Sequence, residues 1–192
     1  MIRRLGPVIF VLPLLVVLFL VLGFEWLRDG SDYEPPVGVT AEAALASPDG
    51  RDMGSVTLTQ GPAGVIVAAE VLGLSPGGHA VSINAVGACE PDFEAAGDHF
   101  DPGEGGGGFH HDSWKKDEGV GPHGGDLPNL YANADGSARA DFFTTGITLG
   151  TGADHSVFDD DGSAIIIYDE ADTYSEDHGE GERVACGVIR LR

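Results

Sequence analysis

From residue 39 onward the chain is a series of short strand-like runs separated by Gly, Pro, Asn and Asp, and this pattern restricts the fold to an all-β class. No part of that region shows the apolar spacing of an amphipathic helix. Strands are predicted over residues 39–46, 55–60, 64–74, 79–87, 130–134, 138–143, 164–168 and 183–191. About eight strands joined by turn signals such as SPDG and Asp135-Gly136 indicate a β-sandwich or a β-barrel.

One long region interrupts this series of strands. Residues 88–128 have little periodicity and are rich in glycine. A structureless loop of that length is uncommon in a compact domain unless something organises it, as a metal ion or a disulfide would. Cys89 lies at one end of the region, and the second of the two cysteines is Cys186. In an exported domain such a pair is expected to form a disulfide, with two buried free thiols as the alternative.

The N-terminal segment indicates export. Residues 5–24 contain no charged side chain, and as a helix they would span about 30 Å, the hydrocarbon thickness of a bilayer. Arg3 and Arg4 precede this segment, which places the N-terminus in the cytoplasm. An uncleaved single-pass anchor would hold the domain at the cell membrane, on its periplasmic or outer side. A cleaved signal peptide would instead make the domain secreted, but no small-x-small cleavage site follows directly. The expected parts are an anchor over residues 1–28, a linker over 29–38 and the β-domain over 39–192.

The exported region is strongly acidic. From Gly30 onward, 7 Lys and Arg residues accompany 29 Asp and Glu residues, which gives a net charge of −22. Such a surface repels nucleic acid and anionic membrane surfaces, so neither is an expected partner of the domain. Contact with the membrane is therefore expected through the N-terminal helix alone. The sequence names no protein partner and no oligomeric state.

Potential metal ligands are concentrated in the long loop. Five of them fall within 28 residues, namely His99, His110, His111, His123 and Asp126. Three imidazoles and one carboxylate suit tetrahedral zinc, so only one of the adjacent His110 and His111 is needed as a ligand. The alternative is a set of solvated loop histidines.

The strand predicted over residues 79–87 is unusual beside such a cluster. Val81 and Ile83 alternate with Ser82 and Asn84, so the two polar side chains share one face of the strand. Neither of these two side chains is a histidine, although the strand is followed by the histidine-containing loop.

Several stretches of the sequence resemble the Cu,Zn superoxide dismutase family in its bacterial exported branch. They are PGGHAV at 76–81, AGDHFDP at 96–102, PHGGDLPNL at 122–130, ADG at 134–136 and RVACGVI at 183–189. The resemblance extends over residues 39–192. It implies an eight-stranded Greek-key β-barrel, in agreement with the strand count, and a Cys89–Cys186 disulfide that ties the long loop to the last strand.

The resemblance also implies a zinc site. The family's zinc ligands match His99, His123, Asp126 and one of His110 and His111. The position of His99 is that of the imidazole that bridges zinc and copper in the family.

Three further positions match family residues that are not zinc ligands. Asp172 matches an aspartate that links the zinc and copper histidines through hydrogen bonds. Arg183 matches the arginine that attracts the superoxide anion, although its side chain could instead bond to the loop that carries Cys89. His79 matches a structural histidine, and we expect it to fix a loop through hydrogen bonds.

The copper site is where this sequence departs from the family. The family pattern in the early strand is His-x-His, and Ser82 and Asn84 occupy those two positions. A third ligand, a histidine in a late strand, falls on Tyr168, which leaves His99 alone of the four. Serine and amide oxygens are poor ligands for copper, and a phenol with a pKa of about 10 resists deprotonation. We therefore expect the polar residues to form a hydrogen-bonded plug, with copper absent.

Three functions are compatible with this sequence. The first, favoured by the ligand count, is a superoxide dismutase-like domain that binds zinc structurally and has lost copper-dependent dismutation. The second is an active superoxide dismutase with a non-standard metal site that includes His99 and Tyr168, which a substrate-attracting Arg183 would support. The third is an extracytoplasmic protein that buffers zinc or copper in its acidic, histidine-containing loop.

Overall fold

The computed structural model describes residues 36–102, 123–174 and 181–192. These residues form nine β-strands and one short 3-10 helix at Phe93–Ala96. The strands are β1 (Thr40–Ala46), β2 (Asp52–Gly61), β3 (Gly64–Val71), β4 (Gly77–Asn84), β5 (Asp126–Ala132), β6 (Ala138–Thr144), β7 (Ala164–Tyr168), β8 (Arg183–Val188) and β9 (Arg190–Leu191). The last predicted run is divided into β8 and β9 because the chain changes partner there: β8 pairs mainly with β7, and β9 pairs with β1.

The strands form a single antiparallel sheet that curls into a nearly closed barrel. Their order is β5-β4-β7-β8-β1-β2-β3-β6. The two end strands, β5 and β6, are joined by a tight turn in which the backbone N–H of Asn133 donates to Ser137 O at 2.8 Å. The connections from β3 to β4 and from β6 to β7 pass over the strands between them, which is Greek-key topology. The prediction of an all-β barrel is confirmed.

Strand alternation divides the apolar residues between two faces of the barrel wall. The interior is packed by aliphatic side chains that include Val56, Leu58, Val67, Val81, Ile83, Ile165 and Ile167. A smaller group, here called the outer cluster, lies on the opposite face of β4, β7 and β8, beneath the loop that follows β4. Its members are Ala80, Ala96, Ala164, Ile166, Tyr168 and Cys186, with Cys89 and Phe93 packed against them.

The first part of the long loop is fixed to the barrel. A disulfide joins Cys89 to Cys186 of β8, with the two Cα atoms 5.9 Å apart, so the predicted pairing is confirmed. Backbone hydrogen bonds continue the sheet beyond β4, since Ala85 N donates to Asp98 O at 2.9 Å and Phe100 N donates to Ile83 O at 2.8 Å. This pairing places the residues around His99 beside the end of β4.

The predicted membrane anchor over residues 1–28 lies outside the described residues, as do His110 and His111. Within the described part of the chain, no helix has the length and apolar character needed to cross a bilayer.

Candidate metal centre

Three of the predicted zinc ligands come together at one end of β4 and β5. His99, His123 and Asp126 each offer a ligand atom, and these atoms lie within 4.8 Å of one another. Strand pairing creates the cluster, because Asp126 is paired with Ser82 and His99 forms an isolated bridge with Asn84. Residues far apart in sequence are thus brought together by the last residues of one strand.

Close backbone packing holds the turn between His123 and Asp126. A Cβ atom on Gly125 would lie 2.1 Å from Ile83 O, and one on Gly124 would lie 2.6 Å from Gly146 O. Only glycine fits such approaches without a shift of the backbone. The turn is also bonded internally, since His123 N donates to Asp126 Oδ2 at 3.0 Å. The spacing of the two ligands is therefore set by the barrel.

The distances between the ligand atoms suit a zinc ion. Asp126 Oδ1 lies 2.8 Å from His99 Nδ1 and 3.8 Å from His123 Nδ1. Ligands at about 2.0–2.1 Å in a tetrahedron are separated from one another by about 3.3 Å, a value that lies between these two distances. The Asp126 side chain is fully buried, and its carboxylate raises the pKa of His123, against burial, which lowers it. The three described donors fit zinc, and the predicted fourth ligand, one of His110 and His111, lies outside the described residues.

The residues at the expected copper positions form a hydrogen-bonded group. Ser82 and Asn84 are completely buried, and Ser82 Oγ donates to Asn84 Oδ1 at 2.7 Å. The hydroxyl oxygens of Ser82 and Tyr168 are 3.4 Å apart, and Tyr168 Oη is 3.3 Å from His99 Nε2. His99 therefore lies between the two groups, with Nδ1 toward Asp126 and Nε2 toward Tyr168. The prediction that these polar residues bond to one another is confirmed.

Arg183 donates hydrogen bonds to the loop that covers β8. Its Nη1 donates to Phe93 O at 2.7 Å and its Nη2 donates to Gly97 O at 2.9 Å. The guanidinium carbon lies 6.0 Å from the centre of the Tyr168 ring, and Glu94 approaches Nε at 3.7 Å. The side chain is only 14% exposed. These contacts favour the loop-bonding role for Arg183 over the attraction of an anion.

Asp172 is buried in the segment that follows β7, and an asparagine of β5 holds that segment in place. Asn129 Nδ2 donates to Asp172 O at 2.8 Å, and Asp172 N donates to Asn129 Oδ1 at 2.9 Å. Tyr174 completes the arrangement, because its hydroxyl accepts from Asn129 N and its own N–H donates to Asp172 Oδ1. Neither Asn129 nor Tyr174 was predicted from the sequence, because a single polar residue in a strand-like run or loop forms no pattern.

His79 has the loop-fixing role expected of it. It is 1% exposed, and its Nδ1 lies 2.7 Å from Tyr168 O, while its Nε2 lies 2.8 Å from Ser75 O. These contacts join the turn before β4 to the last residue of β7. They also hold the backbone of Tyr168, whose side chain reaches His99.

The fold and the site together define a Greek-key β-barrel with a candidate metal centre that includes a residue of the disulfide-tied loop. The chain belongs to the copper/zinc superoxide dismutase family, whose model matches residues 53–189. The Cu-Zn superoxide dismutase of Caulobacter vibrioides is 37% identical over 159 residues, which cover 79% of this chain and 86% of that protein.

Solved structures of relatives share the fold. The crystal structure of a superoxide dismutase-like protein from Bacillus subtilis is similar with a TM-score of 0.65 and 30% identity, covering 77% of this chain and 96% of that chain. The Cu/Zn superoxide dismutase from Brucella abortus has a TM-score of 0.60 and 28% identity, with 79% of this chain and 99% of that chain covered.

Proposed function

We propose that this protein is a membrane-anchored, extracytoplasmic superoxide dismutase-like domain that binds zinc structurally and does not catalyse copper-dependent dismutation. The observation that carries the proposal is the buried hydrogen-bonded group of Ser82, Asn84 and Tyr168, which occupies three of the four positions expected for copper ligands. The zinc ligands His99, His123 and Asp126 are assembled beside it.

Loss of copper follows from the chemistry of that group. A copper ion would have to bind through Ser82 Oγ, Asn84 Oδ1 or Tyr168 Oη. These are hard oxygen donors, and they bind copper, especially Cu(I), poorly. It would also break hydrogen bonds between fully buried groups, and each buried polar atom left without a partner costs about 1–3 kcal/mol. Dismutation requires a metal that changes oxidation state, and zinc does not.

A structural role for zinc follows from where its ligands lie. His99 belongs to the loop that follows β4, His123 to the turn before β5, and Asp126 to β5 itself. An ion bound by all three would tie that loop to the barrel at a second point, His99, ten residues beyond the disulfide-bonded Cys89. Export is supported by the disulfide, which persists in oxidising compartments, and by the apolar N-terminal segment.

An active enzyme with a non-standard site is the second candidate, because Tyr168 Oη lies close to His99 Nε2 and a phenolate can bind a metal. The Arg183 contacts described above weaken this candidate, because the guanidinium is bonded to Phe93 and Gly97. The structural zinc function needs no such anion-attracting group.

Metal analysis with turnover measurements separates the three functions. The full chain, purified in detergent, would be loaded with zinc and copper, dialysed, and measured for metal content and for the rate of superoxide loss. We expect one zinc ion, no copper and no catalysis above buffer. Stoichiometric copper with turnover would establish the second candidate instead, and several weakly held ions would indicate a metal buffer.

A further inference from the structure

The hydrogen bonds around the expected copper position run in one direction, and their last acceptor fixes that direction. Asn84 Nδ2 donates to Gly97 O at 2.8 Å, and a carbonyl oxygen can only accept. The other amide atom, Asn84 Oδ1, is therefore an acceptor toward Ser82. The hydroxyl proton of Ser82 is donated to it at 2.7 Å.

The same reasoning continues from Ser82 to His99. Ser82 has one hydroxyl proton, and Asn84 has taken it, so Ser82 Oγ, 3.4 Å from the Tyr168 hydroxyl, can accept the proton of that hydroxyl. When the Tyr168 proton turns toward Ser82, the lone pairs of Tyr168 Oη face His99 Nε2 at 3.3 Å. Tyr168 Oη can thus accept a proton carried by Nε2, which is the tautomer that leaves the Nδ1 lone pair available to a metal ion.

That lone pair points at the candidate zinc site. His99 Nδ1 lies 2.8 Å from Asp126 Oδ1, which also presents lone pairs. Without a metal ion, the Nδ1–H of His99 donates to this carboxylate oxygen, and Nε2 can accept from the Tyr168 hydroxyl. A zinc ion satisfies both His99 Nδ1 and Asp126 Oδ1, and the protonated Nε2 then donates to Tyr168, as a metal-bound histidine usually donates its second N–H to a neighbouring acceptor.

We propose that the chain of hydrogen bonds from Gly97 O through Asn84, Ser82 and Tyr168 to His99, here called the Tyr168 chain, is a positioning device for zinc. It rests on the proposed zinc-binding function. Tyr168 and Ser82 act as positioning residues: they set the tautomer and orientation of His99 on the side where the family's copper ion would hold the same imidazole. Residues at lost copper positions thereby support the remaining metal.

The backbone end of the Tyr168 chain is itself held firmly. Gly97 O accepts a second hydrogen bond, from Arg183 Nη2 at 2.9 Å. Gly97 is two residues before His99, so its carbonyl anchors the backbone as well as the hydrogen bonds that end on the imidazole. Both ends of the Tyr168 chain therefore act on the same zinc ligand.

Two substitutions interrupt the Tyr168 chain without touching a zinc ligand. Tyr168→Phe removes the acceptor from His99 Nε2. Ser82→Ala keeps Tyr168 beside His99 but leaves its proton free to turn toward Nε2, which favours the wrong tautomer. The matched controls are Tyr131→Phe, at a tyrosine that is 69% exposed, and Ser163→Ala, at a buried serine whose hydroxyl has no hydrogen-bond partner among the described residues.

The full chain and its variants would be compared by zinc affinity in chelator competition, by the visible spectrum with cobalt(II) in place of zinc, and by urea unfolding of the metal-free form. We expect the zinc dissociation constant to rise about 10-fold or more in Tyr168→Phe, and to rise in Ser82→Ala, with an altered cobalt spectrum and unchanged controls. The Nε2 proton of His99, seen by NMR in the zinc-loaded native chain, should exchange faster in both variants.

Native zinc affinity and a native cobalt spectrum in both Tyr168→Phe and Ser82→Ala would overturn the inference and leave zinc binding intact. So would a loss of affinity equal to the loss of metal-free stability, because a merely structural role would produce that result. If the native chain binds no zinc, the proposed function itself fails, and the inference fails with it. Should Tyr168→Phe not fold, the smaller change in Ser82→Ala decides the question.

Discussion

Restoring histidine at the three substituted positions should create a copper site. The change is Ser82→His, Asn84→His and Tyr168→His together, with His99 as the fourth ligand. Residues 82 and 84 lie on one face of β4, about 6.7 Å apart along the strand. The hydroxyls of Ser82 and Tyr168 and the Nε2 atom of His99 follow one another at 3.4 and 3.3 Å. These are the separations of ligand atoms around a single ion.

The stability of the variant and its copper binding depend on making the three changes together. Ser82→His alone forces an imidazole into a fully buried position that still faces the Tyr168 ring, and overpacking of this kind costs about 1–3 kcal/mol. Tyr168→His removes that bulk, so the triple variant should be more stable than the Ser82→His variant. We expect one copper ion per chain in the triple variant and none in the native chain. Turnover should be modest, because the net charge of −22 from Gly30 onward repels superoxide and Arg183 is bonded to the loop.

The assay is copper stoichiometry by elemental analysis, the visible spectrum of the copper-loaded chain, and the rate of superoxide loss, each for the native and triple-variant proteins. A matched control adds His99→Ala to the triple variant and should weaken copper binding. A folded triple variant that holds no copper would show that these positions do not correspond to the family's ligands. Fast turnover by the native chain would refute the loss of dismutation.

Other perturbations test the zinc site and the disulfide. Asp126→Ala should abolish tight zinc binding in calorimetry, because its carboxylate lies beside both His99 and His123; unchanged affinity would remove Asp126 from the site. Only one of His110→Ala and His111→Ala should do the same, and if both keep native affinity the tetrahedral set is wrong. Chelation of zinc should speed hydrogen exchange in the long loop more than in the barrel; equal protection in both states contradicts a structural ion. Replacing Cys89 and Cys186 with alanine opens a link across 97 residues and should lower the unfolding free energy in urea by about 4.7 kcal/mol, whereas a loss below about 1 kcal/mol contradicts that model.

The strands were predictable where alternation and turn residues agree. The bounds of β7 match the prediction, because Ala164–Tyr168 is an apolar run that begins after a Gly-Ser turn and ends at an Asp-Glu pair. The start of β5 was wrong by four residues, since Pro128 suggested a break before the strand. In the structure β5 begins at Asp126, and Pro128 lies at the irregularity in its pairing with β4, where a missing N–H is tolerated.

The candidate site was predictable in its residues but not in its contacts. Ser82 and Asn84 share a strand face because of simple alternation, and their meaning came from the family resemblance. No periodicity indicates that Arg183 donates to loop carbonyls, or that Asn129 holds the segment around Asp172. Such contacts depend on how the loops fold over the barrel, which is set by long-range packing.

One face of β4 packs the barrel interior, and the other face lies beside the candidate metal centre. Val81 and Ile83 pack inside the barrel, whereas Ser82 and Asn84 lie on the side of the outer cluster. Substitutions at residues 82 and 84 can therefore change the surroundings of the candidate metal centre while the interior that folds the domain stays the same. Under the proposed loss of dismutation, the barrel would remain a stable scaffold, available to selection for a different task.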